Sequence, residues 1–101
     1  RLVSLHQKDF AKDAGEPLNM FEQLIDPNER ITPDLYQRTR HVGTFAEVGT
    51  GVLDIQSYID AGNVAGIDFI YLEQDMTRLD EFESIKISRD SFKKYSGIEW
   101  S

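Results

Sequence analysis

Two short stretches of the chain end in side chains that can do chemistry. After the apolar run Leu2-Val3-Ser4-Leu5 come His6, Gln7, Lys8 and Asp9, and after Phe69-Ile70-Tyr71-Leu72 come Glu73, Gln74 and Asp75. An imidazole nitrogen and a carboxylate oxygen suit Mn2+, Mg2+, Co2+ or Zn2+, and a complete site needs one or two more ligands. On residue type alone, His6 reads equally as a satisfied histidine at a sheet end and Glu73 as a capping or salt-bridged carboxylate. Side chains alternate along a strand, so Lys8 shares the side of His6, and Asp75 that of Glu73. Lys8 there could bind a substrate oxygen, and Asp75 could hold a substrate hydroxyl or orient a ligand; a structural salt bridge fits both equally well. Asp9 faces the other way and reads as an anchor for the following loop.

The elements that would position these groups follow from pattern. Leu2 to His6 and Phe69 to Leu72 read as strands, the second aromatic, β-branched and apolar on both faces, as inside a parallel sheet. Between them Asp54 is a predicted N-cap, and Ile55, Tyr58, Ile59 and Gly62 draw one buried stripe on a helix ending near Gly62 to Gly66. A second helix is expected from about Asp80 to Tyr95, with Phe82, Ile85, Phe92 and Tyr95 as its apolar stripe. Its acidic start, Asp80, Glu81 and Glu83, and basic end, Lys93 and Lys94, complement the helix dipole, and Gly97 can terminate it. Strand-to-helix alternation of this kind predicts an α/β fold with the two strands adjacent and parallel and the first helix packed across them. Two such strands leave edges and faces uncovered, so neighbours from further sequence or another chain are expected, a homo-oligomer among them.

Glu47 precedes Gly49-Thr50-Gly51, whose glycines let the backbone pass close to its surroundings; Glu47 is expected to bond this loop or to reach a ligand. A third glycine and the strand-then-helix setting of a dinucleotide fingerprint are missing, which argues against a nicotinamide or flavin site. The stretch from Phe10 to Thr44 far exceeds the usual βα loop of about 2 to 6 residues. It holds Pro17, Pro27 and Pro33, and a basic group, Arg38, Arg40 and His41, of which Arg40 or His41 could meet a substrate carboxylate, phosphate or hydroxyl. A plainer alternative is that Met20, Phe21, Leu24 and Tyr36 pack this segment on the domain or on a second subunit.

Composition narrows the classes. The 101 residues carry 11 Lys and Arg against 18 Asp and Glu, a net charge of -7, which argues against nucleic acid or anionic membrane as a partner. The absence of cysteine removes disulfides, thiolate metal sites and a cysteine nucleophile, and is compatible with a reducing cytoplasm, the expected location. No run of about 18 apolar residues spans a bilayer, and no signal-peptide pattern is present. The chain opens on Arg1 and runs straight into a strand-like segment, so the start of the natural protein is expected to lie upstream.

Taken in order, Leu5-His6-Gln7-Lys8-Asp9, Phe45-Ala46-Glu47-Val48-Gly49-Thr50-Gly51-Val52-Leu53-Asp54 and Tyr71-Leu72-Glu73-Gln74-Asp75 resemble the final strands of the xylose-isomerase-like barrel superfamily. Many of its sugar phosphate isomerase/epimerase members read His-x-Lys-Asp, Glu-Val-Gly-x-Gly-x-x-Asp and Val-Glu-Gln-Asp at these places. The resemblance spans about residues 2 to 95 and implies the last two βα units of a (β/α)8 TIM barrel, with about 10 to 44 as one long βα loop. It implies His6 and Glu73 as metal ligands at the C-terminal ends of adjacent strands, completed by a Glu and an Asp from earlier strands, with Glu73 also catalytic; Lys8, Glu47, Asp75 and Arg40, from their own positions, are the expected substrate contacts.

The expected activity is that of a metal-dependent isomerase or epimerase on a sugar, sugar phosphate or related polyol, moving a proton through an enediolate. A dehydratase would use the same metal. An abasic-site endonuclease of this superfamily would have a second His and Asp just before the glycine motif, where this chain reads Gly43-Thr44-Phe45-Ala46; Phe45 stands where an imidazole is required. A non-catalytic barrel remnant that binds a partner is the alternative from another class.

Overall fold

Backbone pairing brings the two chemistry-bearing stretches side by side. The computed structural model of the chain describes residues 2–14, 26, 28–34 and 42–100. In chain order these form β1 (Ser4–Gln7), β2 (Asp9–Phe10), a 3-10 turn (Val42–Thr44), β3 (Phe45–Ala46), α1 (Ile55–Ala65), β4 (Phe69–Leu72) and α2 (Glu81–Phe92), a small mixed α/β unit. β1 and β4 pair in parallel, with Ser4 opposite Phe69 and His6 opposite Tyr71, as their sequence predicts; β1 starts two residues later than expected and ends one later. The antiparallel pair of β2 with β3, Asp9 opposite Ala46, was not anticipated. It brings the ends of the long segment together, and the Ala11 N–H to Thr44 carbonyl bond of 3.0 Å extends that closure. No helix among the described residues is long and apolar enough to cross a membrane.

Alternation gives the β1–β4 sheet two unlike faces. Ile70 and Leu72 turn toward a core of Val48, Ile55, Ile59 and Phe92, joined by Leu53, Tyr95 and Ile98. Phe69 and Tyr71 turn to the opposite face with Ser4 and His6, where they stack at 6.2 Å between ring centroids and stay about half exposed. β4 is thus not buried on both sides among the described residues, contrary to its apolar pattern. α1 starts where predicted: Asp54 accepts from the Ser57 N–H, and the hydroxyl and N–H of Ser57 hold its carboxyl below the usual range. Gly66, in the left-handed conformation, ends the helix, and Ile55, Ile59 and Gly62 form its buried stripe while Tyr58 stays exposed. Residues after α2 return to α1: Gln56 exchanges hydrogen bonds with Ser96 through both its amide atoms, and Asn63 donates to the Gly97 carbonyl.

Of the apolar stripe that spacing predicts for α2, only Phe92, with Tyr95 beyond the helix, joins the core. Ser84, Ser88 and Phe92 are buried, whereas Phe82 and Ile85 are 84% and 60% exposed. The cause is what the helix lies against. Its inner side meets the main chain of residues 47 to 49: the Val48 N–H donates to Ser88 Oγ, and a Cβ on Gly49 would stand 2.8 Å from Ser91 Cβ. A helix this close to backbone needs small side chains, and a buried N–H needs an acceptor, so serines occupy the positions where leucine or isoleucine would pack on a sheet.

Glu47 is part of the same seam. Its Oε1 accepts from Thr77 Oγ1 at 2.7 Å and from Ser84 Oγ at 2.9 Å. Burial works to raise the Glu47 carboxyl, but the two hydroxyls and its own backbone N–H outweigh it and hold the group below its ordinary value. The stabilisation from these bonds is therefore present above the ordinary carboxylate range and is lost as pH falls through the lowered value. Ser84→Ala removes one donor, so the acid limb of the unfolding curve should move to higher pH, with a loss of about 1 kcal/mol near neutrality. Urea midpoints measured from neutral to acid pH check this; an unchanged acid limb would show that the Ser84–Glu47 bond contributes nothing.

Candidate functional site

The C-terminal ends of β1 and β4 carry one connected chain of side chains. His6 Nδ1 lies 2.7 Å from Glu73 Oε2, Lys8 Nζ lies 3.4 Å from Glu73 Oε1, and Lys8 Nζ lies 2.7 Å from Asp75 Oδ2. Strand geometry produces this order. The parallel register sets Gln7 opposite Leu72, and the Glu73 N–H bonds the Gln7 carbonyl at 3.0 Å, so the residues leaving the two strands stay aligned. Even positions of β1 and odd positions of β4 then share one face. Tyr71, directly across from His6, meets the imidazole edge-on at 5.6 Å between centroids. Sequence reasoning passed over Tyr71 as a packing residue, although its place two before Glu73 puts it on the same face.

The site is open, with the His6 side chain 60% exposed and Glu73 37%. The hydrogen bond to Asp75 raises the Lys8 ammonium above its usual value against a smaller effect of burial, and the negative charges of Asp75 and Glu73 add to the rise. Lys8 is therefore a fixed cation at neutral pH, suited to donating to an oxygen and unsuited to accepting a proton from carbon.

The donor set is compatible with a divalent ion but incomplete. Two ligands each about 2.1 Å from one ion and at right angles stand about 3 Å apart, so His6 and Glu73 need separate by only a few tenths of an ångström. Among the described residues no group of three or more His, Cys, Asp or Glu is placed to hold an ion, so an ion at His6 and Glu73 would need further ligands.

One expected substrate contact, Glu47, is engaged elsewhere. Glu47 spends Oε1 on Thr77 and Ser84, tying the loop to α2. Arg40 and His41 lie outside the described residues, as do Arg38 and the apolar residues Met20, Phe21, Leu24 and Tyr36 of the long segment.

Asp9, on the opposite face from Lys8, anchors the loop more extensively than its position suggested. Only 2% exposed, its carboxylate accepts four backbone N–H groups: Gly49 at 2.9 Å and Gly51 at 3.0 Å on Oδ2, Phe10 at 2.8 Å and Leu53 at 3.1 Å on Oδ1. The Val52 N–H reaches the Phe10 carbonyl beside them at 2.9 Å. Gly51 sits so near Asp9 and Phe10 that a Cβ would overlap both, and Gly49 turns with φ 90°. Both glycines are thus required by a close approach and a turn. Burial, with the nearby charges of Asp9 and Asp54, raises the Tyr95 phenol, which closes the same loop from the α2 side.

Asp9→Asn replaces an acceptor oxygen with an amide donor facing backbone N–H groups. Charge-assisted bonds of this kind contribute about 1.5–3 kcal/mol each, so a stability loss of about 3 kcal/mol or more is expected from chemical unfolding. A loss below about 1 kcal/mol would mean that the loop is held by other contacts.

In comparison with known proteins, no family model matches the chain, and no curated protein or solved structure matches it.

Proposed function

We propose that the chain forms the C-terminal part of a (β/α)8 barrel and contributes half the metal site of an isomerase or epimerase acting on a sugar, sugar phosphate or related polyol. The observation that carries this proposal is the convergence of His6, Glu73, Lys8 and Asp75 at the C-terminal ends of two adjacent parallel strands. That is where a barrel of this kind gathers its reacting groups. The order of the three motifs along the chain supports the same superfamily, and the exposed Phe69–Tyr71 face supports further strands beyond this unit.

A divalent ion completed by ligands from other strands would supply Lewis-acid polarisation of a substrate carbonyl and its neighbouring hydroxyl. His6 and Glu73 would hold it. Glu73 would take the proton from the carbon beside the carbonyl to give an enediolate; isomerisation follows when that proton is delivered to the former carbonyl carbon, and epimerisation when a Glu from the remaining strands protonates the original carbon on its opposite face. Lys8, permanently charged, donates to a substrate oxygen and stabilises negative charge that develops there. Asp75 holds Lys8 in position and offers an acceptor to a substrate hydroxyl. The Tyr71 ring beside His6 gives the sugar a flat apolar wall and keeps the imidazole oriented.

Glu73→Gln in the intact protein is expected to abolish turnover, by about 10²-fold or more, while leaving the fold unchanged by circular dichroism. His6→Ala is expected chiefly to weaken metal binding. Near wild-type exchange of a substrate carbon-bound proton with solvent in Glu73→Gln would contradict the assigned role. Metal content after gentle purification separates an enzyme from a barrel-derived binding protein, which has no need for a divalent ion.

A further inference from the structure

Both oxygens of Glu73 are engaged, by His6 of β1 and by Lys8 just beyond its end, and the two engagements differ in kind. His6 makes a short bond to Oε2, at 2.7 Å, and is itself a candidate ligand. Lys8 stands farther from Oε1, at 3.4 Å, because its ammonium is drawn to Asp75, at 2.7 Å. A fixed positive charge next to a carboxylate competes with any dication for that carboxylate. With its flexible stem, Lys8 can reach either Glu73 or Asp75, and the 0.7 Å difference between its two contacts shows where it is held.

We propose that Asp75 is a positioning residue that keeps the Lys8 ammonium off Glu73, so that the Lys8–Asp75 pair sets the affinity of the His6–Glu73 half-site for a divalent cation. This rests on the proposed metal site and adds a control on it. In the absence of the ion, Lys8 partly balances the acidic pair Glu73 and Asp75. When the ion arrives, repulsion from two positive charges drives Lys8 fully onto Asp75, which is already its nearer partner. Lys8 then faces the substrate side of the site as a donor, with Glu73 released to the ion. Loss of Asp75 would leave Lys8 with Glu73 as its only acidic contact of the two, and the ion would have to displace a full ion pair.

Competition for Mn2+ between the intact protein and a chromophoric chelator tests this by a double-mutant cycle. Asp75→Asn is expected to weaken Mn2+ binding by about tenfold, within the range typical of groups that act through a ligand. Lys8→Met alone should tighten it by a few fold. The deciding comparison is Asp75→Asn made in the Lys8→Met background, where the loss should shrink to about twofold or less because no ammonium remains to be displaced. Asp75→Glu, which keeps an acceptor for Lys8, should restore affinity to within about threefold of wild type. If Asp75→Asn costs the same with and without Lys8, Asp75 acts only as a remote negative charge and the positioning role is overturned, although the half-site stands. If the wild-type protein takes up no Mn2+, the half-site itself is overturned and this control with it. All four side chains are at least partly exposed, and circular dichroism of each variant verifies that the fold is unchanged.

Discussion

A single buried carboxylate holds the described residues to one arrangement. Asp9 collects backbone N–H groups from its own strand end and from the glycine loop some forty residues later. A buried charge is tolerable only where donors converge on it, and here four main-chain donors do. The loop cannot shift without stripping these bonds. It can lie so close only because residues 49 and 51 carry no side chain. The same loop carries Val48 into the core and Glu47 onto α2, so its position determines where both helices sit.

The consequence for chemistry comes from strand alternation. Asp9 and Lys8 are consecutive and point to opposite faces, so a carboxylate locked into the loop on one side aims the lysine at Glu73 and Asp75 on the other. His6 is aimed by the same backbone and by Tyr71 across the pair. The site therefore needs little organisation of its own. Its groups sit at and just beyond the strand ends, and their mutual distances follow from the register of β1 against β4.

Much of this was legible because it depends on local signals. Asp54 and Asp80 mark helix starts, the end of α1 was expected near Gly62 to Gly66 and falls at Gly66, and alternation puts Lys8 with His6 and Asp75 with Glu73. The pairing of the strands followed from the rule that a strand–helix–strand unit joins parallel neighbours. What was not legible depends on what an element packs against. Spacing gives α2 an apolar stripe through Phe82 and Ile85, but the helix turns Ser84 and Ser88 inward because its neighbour is a polar backbone and not a sheet. For the same reason Glu47 is a tether to α2, a role that its place in a glycine motif could not disclose. The two-residue strands β2 and β3 are too short to show periodicity, and only their pairing reveals them. The site residues were read from position at strand ends, whereas the hub at Asp9 needed coordinates to show four donors on one carboxylate.

The proposed binding of one divalent ion by His6 and Glu73 can be read from the coordination of that ion. Pulsed electron paramagnetic resonance of the Mn2+-loaded intact protein detects nitrogen bound to the metal. The account predicts imidazole nitrogen modulation in the wild type, its loss in His6→Ala, and its retention in Lys8→Met. Modulation that is absent from the wild type, or unchanged in His6→Ala, would contradict it.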